Sequence, residues 1–182
     1  MCELDAFKQM SKTVHHGGQS IFSDHIVKTD MSVTTNGLGP IKDFCFDMKD
    51  MDHYPPINDE HLTRKWRQFH EIDDDGTIGV IFGNGATELI DLLIRTRSTT
   101  IQTWKTNDVD VQYQEYESAC ERKGLEKVKD GQPADLIVVV NPNNPTGDFF
   151  EWKQMFQYVE EQVPQNGTLL VDESMLFWKG QN

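Results

Sequence analysis

Leu136-Ile137-Val138-Val139-Val140-Asn141-Pro142-Asn143-Asn144-Pro145-Thr146-Gly147 is the stretch on which the fold turns. Its first five residues are apolar without interruption. A strand with one wet face alternates apolar and polar, so an unbroken run reads as a strand buried on both faces. The next seven residues end it abruptly. Two prolines deny the backbone a helix, and asparagines are left at the strand's carboxyl end.

Outward from this strand the same texture recurs. Thr168 to Val171 (TLLV) is a second buried strand, Ile78 to Phe82 (IGVIF) a third, and Thr100 to Trp104 a weaker one. Between them lie helical spacings: Leu89, Ile90, Leu93 and Ile94; then Tyr113 to Lys123, stopped by Gly124. Phe149, Trp152, Phe156 and Val159 mark a further amphipathic helix after Gly147-Asp148, ended by Pro164 and Gly167. Asp148 is its N-cap if the Asn and Pro turn before it is a plain capped turn, although seven residues of that composition are unusual for one. Asn58 caps a helix carrying Leu62, Trp66 and Phe69 on one side and Arg64, Lys65 and Arg67 outward. Strand and helix therefore alternate from about residue 78. That predicts an α/β fold, a mostly parallel sheet covered on both faces, with ligands gathering at the strands' carboxyl ends. Residues 1–57 differ: His15-His16-Gly17-Gly18, Asn36-Gly37-Leu38-Gly39-Pro40 and Tyr54-Pro55-Pro56 describe turns and extended arms.

Composition excludes several classes. The 182 residues carry 17 Lys and Arg against 30 Asp and Glu, a net charge of −13. Nucleic-acid binding and polybasic membrane attachment both need the opposite sign. With 37% apolar residues, four Trp and ten Phe, the chain is too aromatic for an acidic disordered tail. No apolar run is long enough to span a membrane, and Met1 to Lys12 is not a secretory leader. Three widely spaced cysteines, Cys2, Cys45 and Cys120, fit a reduced cytoplasmic protein without a disulfide framework or zinc ribbon.

Three loops at strand ends carry the chemistry. After Phe82 stands Gly83-Asn84-Gly85-Ala86-Thr87-Glu88. It reads either as a phosphate cradle, built from backbone amides at a helix N-terminus, or as a ligand-free turn. It matches neither the dinucleotide fingerprint nor the P-loop. After Val140 stands the Asn and Pro turn quoted above. After Val171 stands Asp172, a carboxylate at the mouth of a buried strand, which needs a partner. A cationic ring nitrogen would serve, and so would backbone amides of its own loop.

Taken together the loops resemble the fold-type I pyridoxal-phosphate enzymes, aminotransferase class I/II. Asn141 to Gly147 resembles that family's NPTG motif, extended to NPNNPTG as in its histidinol-phosphate aminotransferase branch. Asp172 follows at the family's distance, after a strand. His16-Gly17-Gly18, Asn36 to Pro40, Tyr54-Pro55 and Gly83-Asn84-Gly85 stand in the order seen in the related threonine-phosphate decarboxylases.

The resemblance implies a three-layer αβα large domain, here incomplete, from residue 58 to 182. Residues 1–57 would be its N-terminal arm and a small-domain segment. It implies pyridoxal 5'-phosphate as cofactor and a small amino acid or phosphorylated amino acid as substrate. Asp172 would pair with the pyridine nitrogen, Asn144 would donate to the phenolic oxygen, and Gly85, Ala86 and Thr87 would hold the phosphate. Tyr113 is either the ring stacked on the cofactor or a core aromatic. Tyr54 either reaches the phosphate of a neighbouring subunit, because the family builds its site across a homodimer, or is a plain buried tyrosine.

Departures bear on activity. Met175 stands where the family carries a Tyr or Phe, and Thr34 where relatives often carry an Asn. The family's Schiff-base lysine lies further beyond the aspartate than Lys179 does, so no catalytic residue is assigned. The expectation is a truncated chain, inactive by itself in transamination or decarboxylation, that pairs as a dimer or with a complementary chain. An inactive relative that binds cofactor or another phosphate compound is the alternative.

Other readings are weaker. Glu71 to Phe82 opens like a calcium loop but has Phe82 where a bidentate Glu belongs, so an acidic solvated turn is expected. His15-His16 lacks a second pair of metal ligands, and no metal site is assigned. Cys120 sits in an expected helix as a packed thiol.

Overall fold

A computed structural model describes residue 54 and residues 60–97, 100–107, 111–129 and 131–176. The described residues divide into two compact units at Gly83.

The first unit contains helix α1, Glu60–Phe69, and the segment that follows it. The amphipathic spacing does form a helix, but none of its residues is buried: Leu62, Trp66 and Phe69 are all exposed. Trp66 instead packs against His70, ring centroids 4.1 Å apart, and edge-on against Phe82 at 6.0 Å. Arg67, expected in solvent, turns inward. Its guanidinium donates to the carbonyls of Asp73, at 2.6 Å, and Ile78, and lies 3.7 Å from the Asp74 carboxylate. The acidic turn is closed locally, since the Asp75 carboxylate accepts from the backbone N–H and hydroxyl of Thr77. Those bonds hold Asp75 below the usual carboxylate range.

Ile78 to Phe82 is not a strand, which corrects the sequence reading. Ile78, Ile81 and Phe82 are exposed, and no ladder partner lies among the described residues. An apolar run signals a tendency to be buried; a strand also needs a neighbour to pair with.

The second unit is the α/β layer structure. Its elements run α2 (Gly85–Arg97), β1 (Thr103–Thr106), α3 (Glu115–Arg122), β2 (Glu126–Lys127), β3 (Leu136–Val140), α4 (Trp152–Gln162) and β4 (Thr168–Asp172). All strand pairs are parallel, in the order β2-β1-β3-β4. β3 is fully buried along its length and explains why the sheet needs three layers. Alternate residues point to opposite faces. Leu136, Val138 and Val140 join Ile90, Ile94, Tyr116, Ala119 and Cys120 from α2 and α3. Ile137 and Val139 join Ala134 and Met155, with Tyr158 and Val163 packed alongside. Each buried Leu, Ile, Val or Met side chain among them contributes about 1.5–3 kcal/mol by leaving water.

α4 begins three residues later than an Asp148 cap would place it. Asp148 is not the N-cap; its carboxylate accepts from the Thr146 hydroxyl at 2.6 Å. Glu151 is the N-cap, in a reciprocal capping box with Gln154. The inner stripe is accordingly the buried Met155 with the half-buried Tyr158 and Val159, while Trp152 and Phe156 are exposed. Among the described residues no helix is long and apolar enough to cross a membrane.

Candidate functional site

The register of β3 on β4 sets the geometry. Val140 pairs with Asp172, so both strands end at one rim. The backbone N–H of Asn141 donates to the Asp172 carbonyl at 2.8 Å, joining the two loops where they leave the sheet.

The Asn-Pro loop is built by its first and third residues. The Asn141 side chain is buried and bonds both ways with the Phe150 backbone: Nδ2 donates to the carbonyl at 3.0 Å, and Oδ1 accepts the N–H at 2.8 Å. Asn143 Nδ2 donates to the Val111 carbonyl at 2.9 Å and the Thr146 hydroxyl at 2.8 Å. The Asn141-Pro142 and Asn144-Pro145 peptides are both cis, and Gly147 closes the turn with a φ of +78° that suits glycine. Asn144 is left over: half-buried, its side chain makes no hydrogen bond with the described residues.

Asp172 is half-buried at the end of β4. Its Oδ1 accepts the Ser174 N–H at 2.8 Å, as an aspartate held by its own loop would. Its Oδ2 accepts the phenol of Tyr116 at 2.5 Å. Each oxygen keeps a further lone pair for an incoming donor. Burial first, and then this bond to a carboxylate, push the Tyr116 phenol far above its ordinary value, so it stays protonated and donating.

From Tyr116 the contacts continue outward. Its ring meets that of Tyr113 edge-on, centroids 6.2 Å apart. The Tyr113 hydroxyl lies 3.3 Å from that of Thr87, in the first turn of α2. Three sequence-singled residues, Thr87, Tyr113 and Asp172, are thus linked in one line through Tyr116. Gly85, with a φ of +81°, opens α2, and Ala86 behind it packs against the core. The Asn84 N–H at this helix end is taken by the Glu88 carboxylate. Beside the line, a cleft of about 300 Å³ is bordered by Trp104, Thr106, Gln112, Tyr113, Tyr116 and Lys127.

Tyr54 lies in the other unit and is 99% exposed, so it is not a buried tyrosine. Met175 is half-buried in the turn after Asp172. Thr34, Lys179, His15 and His16 lie outside the described residues. Sequence reasoning missed the part played by Tyr116. No local signal pointed to it, since Tyr113 precedes the helix that carries Tyr116 and the bond to Asp172 spans 56 residues.

A parallel sheet between helices, with polar loops converging at the carboxyl rim, makes this an α/β fold, and the same fold is found in solved aminotransferase structures. No family model matches the chain. In sequence it is similar to histidinol-phosphate aminotransferase 1 of Idiomarina loihiensis: 25% identical over 166 residues, covering 82% of this chain and 44% of that protein. It is similar also to histidinol-phosphate aminotransferase of Listeria innocua, 25% identical over 138 residues, covering 68% of this chain and 37% of that one. In structure it resembles the histidinol-phosphate aminotransferase of Clostridium acetobutylicum, with a TM-score of 0.59, 21% identity, and 73% and 42% of the two chains covered. The L-threonine-O-3-phosphate decarboxylase of Porphyromonas gingivalis gives a TM-score of 0.57, 18% identity, and coverage of 71% and 40%. The chain spans less than half the length of the curated relatives it matches.

Proposed function

We propose that the chain forms the cofactor-gripping portion of a pyridoxal-phosphate-dependent aminotransferase-like protein. Asp172 accepts the N–H of the protonated pyridine ring and Asn144 donates to its phenolic oxygen. Tyr113 stacks on the ring. Gly85, Ala86 and Thr87 hold the phosphate with backbone amides and a hydroxyl, and the phosphate takes the place of the Glu88 carboxylate at the α2 terminus. Tyr54 serves the site of a partner copy in a homodimer. Bound there, the cofactor supplies an electron sink for charge developing at the α-carbon of an amino acid.

One observation carries this reading. The Asp172 carboxylate sits at the rim with one donor on each oxygen and acceptor capacity to spare, beside a loop whose Asn144 amide is unused by the described residues. That donor and acceptor set fits a planar ring with a cationic nitrogen at one edge and a phenolate at the other.

The names of the curated relatives favour amino-group transfer for the whole protein, and a small or phosphorylated amino acid as its substrate is part of the same proposal. Decarboxylation of an amino-acid phosphate shares the same binding groups. In this proposal the 182 residues alone bind cofactor without turnover, because no lysine is assigned to covalent attachment. The large-domain role of residues 58–182 and the arm role of residues 1–57 belong to the same proposal.

Titration of the purified chain with pyridoxal 5'-phosphate, followed by tryptophan fluorescence and dialysis, tests the reading. Saturable, dialysable binding that Asp172→Ala removes is the expected result. Absence of binding sinks it. Borohydride treatment and peptide mapping should label no lysine; a specific label on Lys179 would overturn the non-covalent part.

A further inference from the structure

We propose that Tyr116 is the positioning residue of this site, aiming the Asp172 carboxylate at the ring nitrogen through its hydroxyl bond to Oδ2. The inference rests on the reading of Asp172 given above and goes beyond it by assigning a role to a side chain that would not touch the cofactor's nitrogen itself.

An aspartate has two side-chain torsions, and the backbone N–H of Ser174 engages only Oδ1. That single bond leaves the carboxylate plane free to swing. The second bond comes from α3, 56 residues away in sequence, and fixes the plane. Tyr116 is suited to this because it cannot yield. It is 1% exposed and packed in the core with Ala119, Cys120 and Leu136. Its ring also abuts Tyr113, so the residue proposed to stack on the ring and the residue proposed to bind its nitrogen are held by one side chain. A phenol buried this deeply offers Asp172 a donor throughout the pH range in which the protein is folded.

Two ligands separate positioning from general structure. Pyridoxal 5'-phosphate carries the ring nitrogen; its 1-deaza analogue carries a C–H there and keeps the hydroxyl, aldehyde and phosphate. Their affinity ratio reads the Asp172 interaction alone. The wild-type chain should prefer the pyridine by about tenfold or more, the scale of one charge-assisted hydrogen bond. Asp172→Ala should abolish the preference. Tyr116→Phe, which keeps the ring and removes the hydroxyl, should shrink it severalfold while leaving affinity for the deaza analogue unchanged.

A Tyr116→Phe chain that weakens both ligands equally, or keeps the full preference, overturns the inference and leaves the proposed function standing. A wild-type chain with no preference overturns the reading of Asp172, and the inference with it. If Tyr116→Phe does not fold, the unaltered protein carrying 13C at tyrosine Cζ decides. The Tyr116 resonance, assigned through its contact with the Tyr113 ring, should move with pyridoxal 5'-phosphate and not with the deaza analogue. Equal shifts with both overturn the inference.

Discussion

Asn141 and Phe150, nine positions apart, bond to each other twice, side-chain amide to backbone, across the loop that would carry the cofactor's phenolic partner. The pair reproduces a two-bond ladder where the sheet has ended. It holds the loop's exit against its entry and frees Asn144 from structural duty. Asn141→Ala leaves a buried backbone N–H and carbonyl unsatisfied and should destabilise the fold by about 2–3 kcal/mol. Asn141→Asp should cost more, since it sets an oxygen against the Phe150 carbonyl. Urea denaturation measures both, and an Asn141→Asp chain as stable as the wild type would contradict the assignment.

The face by which α4 docks gives a second prediction. Met155 is buried against Ile137 and Val139, whereas Trp152 and Phe156 are exposed, their rings tilted to each other with centroids 6.4 Å apart. Met155→Ala should therefore cost about 2–4 kcal/mol. Trp152→Ala and Phe156→Ala should each cost under about 1 kcal/mol despite removing larger side chains. Equilibrium unfolding of the three variants checks the order, and its reversal would place the helix on the other stripe.

What the sequence made legible, and what it did not, follows from the range of the forces involved. β3 was readable because five successive apolar residues have one structural use, and the Asn-Pro loop because proline forbids the alternatives locally. The same logic failed at Ile78 to Phe82, where apolar residues have no ladder partner among the described residues, and at β2, where Glu126 and Lys127 form a strand with both residues exposed. Pairing with β1 makes that strand, and pairing is not written in two polar residues. α4 was expected three residues too early and rotated, because Trp152 and Phe156 outweighed Met155 in any count of hydrophobicity. At the site, Thr87, Tyr113, Asn144 and Asp172 could be nominated from local motifs. The bond from Tyr116 to Asp172 could not, since it spans 56 residues and depends on how α3 lies over the sheet.

A third prediction concerns acid. The Asp135 carboxylate accepts the backbone N–H groups of Gln102 and Thr103 and the Thr103 hydroxyl, each at 2.9 Å, tying the start of β3 to that of β1. These bonds hold its carboxyl below the usual range, the Gln102 amide contributing most. The unfolded chain, with an ordinary value of about 3.9, takes up the proton first as pH falls. The stabilisation is thus complete above about pH 4 and is lost as pH drops through the lower folded value. Asp135→Asn should lower the melting temperature at neutral pH and flatten its fall in acid. Thermal melts from pH 2 to 7 provide the check; an unchanged acid limb would show that the carboxylate is not held in this way.

A fourth prediction turns on the thiol of Cys120. It has no measurable exposure and packs on the α3 side of the sheet with Tyr116 and Leu136. Burial, and then the nearby Glu117 carboxylate, push it up to about 12. At pH 8 an ordinary thiol is about one-quarter thiolate, whereas one titrating near 12 is ionised on the order of once in ten thousand molecules. Iodoacetamide at pH 8 should leave Cys120 unmodified in the folded protein and label it fully in urea, as peptide mass spectrometry would show. Cys120→Ser keeps the volume but brings a hydroxyl into a fully buried apolar site, and should cost about 1–3 kcal/mol where Cys120→Ala costs less. Rapid native alkylation would mean that α3 lifts from the sheet, and the Tyr116 bond to Asp172 would then be broken for the same fraction of time.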